Sequence, residues 1–245
     1  MCQMREAVPF QVGEFFRRIP TVRTERWSLL TRFFAGWLGP IGSMDGCTGQ
    51  SLDAAEQRLK IVLPRSLREW YELAGLRKEV WSCQDHLLMP EELRIEEDRL
   101  IICVENQAVV KWAIPLAVIL DEDPPVFVSD QLDRRHWIKE TSSTSLFALA
   151  QMLLDTKCSK AAKFLANGQA TDEALAAIAQ TYQRLDFPDL HWPPHPTRIY
   201  GGPDLVIETE AESWIWISGR SAAFFESAVS LITGSGVDWE QVLRP

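Results

Sequence analysis

The chain has 245 residues, enough for one large domain or two modest ones with a well-buried core. Its 46% apolar and 24% charged residues are the balance of a soluble globular protein, not a disordered one. The net charge of −9 argues against nucleic acid as a ligand, because affinity for a phosphate backbone comes from Lys and Arg displacing counterions.

No run approaches the ~18 apolar residues of a membrane span, and no apolar signal-peptide core opens the sequence, so a cytoplasmic location is expected. Cys2, Cys47, Cys83, Cys103 and Cys158 are odd in number and form no C-x-x-C pair, which suits a reducing compartment.

Residues 1 to 50 read as a helical lead-in. Trp27, Leu30, Phe34, Trp37 and Leu38 recur at spacings of three and four behind Thr24-Glu25, and Gly39-Pro40 ends the run. Residues 41 to 50 are rich in Gly, Ser and Thr and predict a loop. From Ser51, taken as an N-cap, Leu52, Ala55, Leu59 and Val62 line one helical face. Pro64 interrupts, and Leu63, Leu67, Trp70, Tyr71 and Ala74 line a second, stopped by Gly75. Leu100 to Val104 is too short and too β-branched for a helix and predicts a strand covered on both faces. Val109 to Ile114 is its hairpin partner across Glu105 to Ala108, Val126 to Val128 a third strand, and Trp137-Ile138 a fourth short piece. Ser145 to Leu154 predicts a helix closing over the sheet. In the last third, Ala161 to Leu165 and Thr171 to Leu185 read as helices and Pro188 to Pro196 as a rigid connector. Leu205 to Thr209 and Ser213 to Ile217 read as a hairpin extending the same sheet, and Phe224 to Ile232 as a final helix. The expected divisions are 1–50, 51–155 and 156–245, the last packed on the middle part.

Residues 51 to 155 resemble the SUKH superfamily, which includes Smi/Knr-type cell-wall-synthesis regulators and bacterial immunity proteins. The matching residues are Leu52, Ala55-Glu56, Leu59, Leu63-Pro64, Leu67 to Tyr71, Ala74-Gly75, Leu88 to Leu93, Glu105-Asn106-Gln107, Trp112 and Asp123 to Val126. The family commonly has Gly after its Glu-Asn-Gln, where this chain has Ala108, so a turn needing positive φ there would be strained. The resemblance implies an α+β fold with a mixed, largely antiparallel β-sheet flanked by helices. It also implies a non-enzymatic protein-binding module, most simply an immunity protein neutralising a toxin domain such as a nuclease, and the acidic charge of the chain favours a basic toxin as the partner. A regulatory scaffold and an enzyme with a dispersed site are the alternatives.

The candidate partner-binding residues are Glu105, Asn106, Gln107, Trp112, Asp121 and Asp123. Each has a plainer reading. Glu105 to Gln107 are short polar side chains suited to bonding a turn's own backbone. Asp121, Glu122 and Asp123 beside Pro124-Pro125 suit a solvated turn, and Trp70, Tyr71 and Trp112 sit on apolar stripes. Cys83, Asp85 and His86 lack a second ligand cluster, and His191 and His195 are separated by Trp-Pro-Pro, which cannot be helical. Neither group amounts to a metal site, and no cofactor is expected.

Overall fold

The computed structural model describes residues 8–130 and 136–245; Cys2 lies outside them. Among the described residues twelve strands form two six-stranded sheets with helices between and around them.

The N-terminal segment contributes a short α1 (Val12–Phe15) and α2 (Arg23–Phe33), whose last turn widens into a π-helix over Phe34–Leu38. Its aromatic residues are structural. Phe33 stacks on Trp37 at 5.6 Å, Phe34 meets Trp81 at 5.7 Å, and Phe16 meets Phe187 of the last third at 6.1 Å. Asp204 takes the Phe10 N–H at 3.0 Å, and Arg220, paired with Asp204, lies over the Trp37 ring at 4.6 Å. Residues 10–38 therefore clasp the body and its last third.

Helix α3 (Gly49–Leu59) starts earlier than the sequence suggests. Thr48 is its cap, accepting the Ser51 N–H, and Val62 lies beyond the helix and exposed. Its cap is followed by Gly49-Gln50, which look like loop but carry the first turn. Helix α4 (Arg65–Ala74) begins after Pro64, which needs no N–H there, and buries Leu67, Trp70, Tyr71 and Ala74. After α5 (Lys78–Trp81), the first sheet follows: β1 (Asp85–Leu87), β2 (Arg94–Glu96), β3 (Arg99–Glu105), β4 (Lys111–Pro115), β5 (Val126–Ser129) and β6 (Trp137–Thr141). Its order is β1-β3-β4-β5-β6, with β2 also on β3. Helix α6 (Thr144–Asp155) is buried along its whole length. It lies against sheet 1, where Phe147 meets Trp112 at 5.9 Å, and against α4, where Phe147 meets Trp70 at 6.0 Å. A helix apolar on most sides belongs in such a place.

Three sequence-based expectations fail in the last third. The helix expected over Thr171 to Leu185 stops at Thr181, because Gln183–Arg184 pair with Tyr200 and Gly201 as a strand. Ala161 to Leu165 is not a helix: β7 (Phe164–Ala170) is an interior strand, hidden by the loop-like Asn167-Gly168-Gln169. Nor does the hairpin join the first sheet. After α7 (Asp172–Thr181) come β8 (Gln183–Arg184), β9 (Arg198–Gly202), β10 (Leu205–Glu210), β11 (Trp214–Gly219), α8 (Ala222–Gly234) and β12 (Val237–Leu243), forming a second sheet ordered β12-β7-β11-β10-β9-β8. The physical reason is β7, which pairs with β11 and with β12 and so starts a sheet of its own. Every strand pair in both sheets is antiparallel, so the α+β fold with an antiparallel sheet flanked by helices stands, but the sheet is not mixed. One face of sheet 2 packs Ile207, Ile215 and Ile217 against Ile178 of α7 and Phe225 and Ile232 of α8. Its other face meets the end of α6. No helix of the described residues is long and apolar enough to cross a membrane.

Candidate functional site

The β3–β4 turn is built around one carboxylate. Glu105 is 5% exposed, and its Oε2 accepts the N–H groups of Gln107 at 2.8 Å and Val109 at 3.1 Å. Its backbone carbonyl takes the Ala108 N–H at 2.8 Å. Ala108 sits at φ +57°, the left-handed conformation anticipated from the missing Gly. The turn is thus fixed from within, and Asn106 and Gln107 are held at its exposed tip.

The other three candidate residues do not join them. Trp112 is 1% exposed and belongs to the core under α6, so it cannot touch a partner. The Glu105 to Gln107 motif before it is polar, but its own strand position faces inward. Asp121 and Asp123 lie in the β4–β5 connection, at the far end of β4 from the turn. Asp121 is exposed. Asp123 is structural: it takes the Ser145 N–H at 2.9 Å and the Ser145 hydroxyl at 2.6 Å in the first turn of α6, and stands 3.5 Å from Arg26. An anionic side chain there satisfies a free helix N–H and meets the positive end of the dipole. Apart from the buried Trp112, the candidates therefore divide between the turn and the far end of β4.

Two grooves adjoin the turn and share Ser129, whose Oγ accepts the Lys111 N–H at 2.9 Å. One, of about 170 Å³, runs between Ala108-Val109, Glu96, Lys111 and Trp137. The second, of about 240 Å³, lies between Val110, Val128 and Ile138 of the first sheet and His191, Trp192 and His195 of the connector. Glu140 of β6, almost fully buried, anchors that connector by accepting the His191 N–H at 2.9 Å and the Trp192 N–H at 3.4 Å. The His191 and His195 rings stack at 4.6 Å, and the Glu140 carboxylate beside His191 raises its pKa.

A second constellation has no counterpart among the sequence candidates. Lys157, just after α6, places its Nζ 3.0 and 2.8 Å from the two carboxylate oxygens of Glu208, 3.7 Å from Glu210 and 4.9 Å from the Trp216 ring centre, all within the protein. Beside it, Gln151 donates to Asp85 at 3.1 Å, and Asp155 completes the group. Burial raises Asp85 to about 6, against the pull of Gln151 and Lys157. Burial and then the Asp85 charge hold Asp155 well above the usual carboxylate range. Burial and the neighbouring Glu208 raise Glu210 to about 8. Such shifts accompany acid–base catalysis when a cleft admits substrate. Here the groups are shut between α6, β1 and the inner face of sheet 2, so the arrangement joins two halves of the fold. The sequence signal for it was the alternation of Glu208 and Glu210 opposite Trp216 and Trp214, which puts charge on a covered sheet face.

The other sequence candidates do not converge. Asp85 points inward while His86, next along β1, pairs outside with Glu92 at 3.2 Å. Among the described residues no group of three or more His, Cys, Asp or Glu is placed to hold a metal ion. Cys47 and Cys103 are buried, and burial raises both thiols, Cys47 to about 11, as expected of small core residues.

No family model, curated protein or solved structure matches this chain.

Proposed function

We propose that the chain is a protein-binding module that acts in the cytoplasm, an immunity protein of the kind the SUKH resemblance implies, holding a toxin domain over the β3–β4 turn and its two grooves. The observation that carries this reading is the turn itself. Asn106 and Gln107 are exposed on a backbone fixed by a buried carboxylate, so they present donors and acceptors without a backbone ordering cost on binding. Grooves on either side can receive anchoring side chains. The net charge of −9 favours a basic partner and speeds its approach.

The test is capture of a partner from the native cells by the tagged chain, repeated with Asn106→Ala/Gln107→Ala. The expected result is a toxin-domain protein that co-elutes with the native chain and is lost with the double variant, whose melting temperature is unchanged. With the isolated partner, the association rate should fall as salt rises. A captured partner that the double variant retains in full would remove the turn from the interface.

A further inference from the structure

Among the described residues sheet 1 has one face under α6 and one on which no helix packs. Opposed residues in antiparallel strands share a face, and the register puts Ala113, Phe127 and Lys139 together, Ser129 with Trp137, and Arg99 with Glu96, on the side away from Trp112. The side chains agree. The Arg99 guanidinium lies over Phe127 at 5.5 Å and Trp137 at 5.0 Å, and Lys111 reaches Glu96 at 2.6 Å, as does Arg94 at 2.8 Å.

In a chain of net charge −9, the described residues of this face include Arg94, Arg99, Lys111 and Lys139 against Glu96, with Glu97 and Asp98 in the β2–β3 turn at one margin. Burial works against the Glu96 carboxylate, yet Lys111 and Arg94 hold its pKa low, so that acid is spent on its own neighbours. Arg99 is not satisfied in the same way. Its Nε and Nη1 are shielded from solvent and find no hydrogen-bond acceptor among the described residues, and the Asp98 carboxylate stands 3.6 Å from Nε. A guanidinium stacked on two rings with idle donors gains on turning outward to a carboxylate, which its fork matches in two bonds.

We infer that the open face of sheet 1 docks a carboxylate-bearing segment of a protein partner, with Arg99 and Lys139 taking the carboxylates and Trp137 and Phe127 the apolar contact. This rests on the reading of the chain as a protein-binding module and extends that surface, since Trp137 and Lys111 also border the groove beside the turn. A net-basic partner with a local acidic segment meets both the field of the whole molecule and this patch. A nucleic acid would meet the patch but be repelled by the rest.

The probe is acetyl-tetra-aspartate amide, titrated at low salt against the full chain with the Trp137 indole resonance as readout, alongside tetra-lysine and an eight-nucleotide oligothymidylate. Saturable binding of tetra-aspartate alone, weakened about tenfold by Arg99→Gln and by Lys139→Gln, is the expected result. Because Arg99→Gln also removes packing, Lys139→Gln at an exposed position is the decisive variant. Equal shifts with tetra-lysine, tighter binding of the oligothymidylate, or unchanged binding by a folded Lys139→Gln protein would overturn the inference. A partner captured from cells that binds Lys139→Glu as well as the native chain overturns it too, while leaving the module reading intact. Tetra-aspartate binding without any captured partner supports the face and counts against the module.

Discussion

Ala108 holds a left-handed backbone conformation because the buried Glu105 carboxylate needs the Gln107 and Val109 N–H groups turned toward it. A Cβ there is costly, and glycine gives some of that back as entropy of the unfolded chain. Ala108→Gly should therefore stabilise by about 0.5–1 kcal/mol, read as a higher urea midpoint with an unchanged slope. Asp123 and Asp121 give a paired prediction. Asp123→Ala removes two hydrogen bonds to Ser145 and the carboxylate beside the buried Arg26, and should cost roughly 2–3 kcal/mol in the same measurement. Asp121→Ala, at an exposed turn, should change stability by less than about 0.5 kcal/mol. Equal effects would mean that Asp123 does not anchor α6. These two acids look alike in sequence. Only the place where the β4–β5 connection crosses the start of α6 separates them, and no local pattern encodes that crossing.

At the level of elements, a single period was enough where one face is apolar. The stripes of α4 and α6, the β3–β4 hairpin and the β10–β11 hairpin were legible because Leu67 to Ala74, Leu146 to Leu154 and Trp214 to Ile217 each repeat at helical or strand spacing. Strand β7 was not, since its Asn167, Gly168 and Gln169 are polar or lack a side chain, and what makes them a strand is pairing with β11 and β12 far along the chain. Gly168 shows the constraint. A Cβ at that position would meet the Trp239 Cα at 2.8 Å and the Asp238 carbonyl oxygen, at the point where β12 bulges. Gly168→Ala should push β12 off the sheet edge at a cost of roughly 1–3 kcal/mol. Hydrogen exchange should then show lost protection in residues 237–243 with sheet 1 unaffected. Full protection of β12 in that variant would refute the close approach.

Across the whole molecule, the two sheets meet through charge as well as apolar packing, and this fixes a dependence on pH. Asp85, Asp155 and Glu210 have pKa values raised in the folded protein above their ordinary ~4, so folding favours their neutral forms. Their contribution is complete below about pH 4 and is withdrawn as pH rises through about 6 for Asp85 and about 8 for Glu210. For Asp85 the withdrawn amount is on the order of 3 kcal/mol. His191, raised by Glu140, works in the same direction, losing its contribution as pH climbs past its folded value. The opposite limit is set by carboxylates held low, such as Asp45 by the Gly42 N–H, and Glu92, whose burial is outweighed by the Met89 N–H and His86. Their contribution is lost as pH falls below about 4. Stability should thus peak near pH 5 and decline toward pH 8.5. General repulsion in an acidic chain would give a similar decline, so the variant decides between them. Glu210→Gln mimics the neutral acid beside Lys157 and Glu208, and should leave the melting temperature nearly unchanged at pH 5 while raising it at pH 8.5. Asp121→Asn removes the same charge from an exposed turn and should do neither. If the two variants shift the pH 8.5 melting temperature equally, the decline belongs to the net charge, and the buried acids joining the sheets play no part in it.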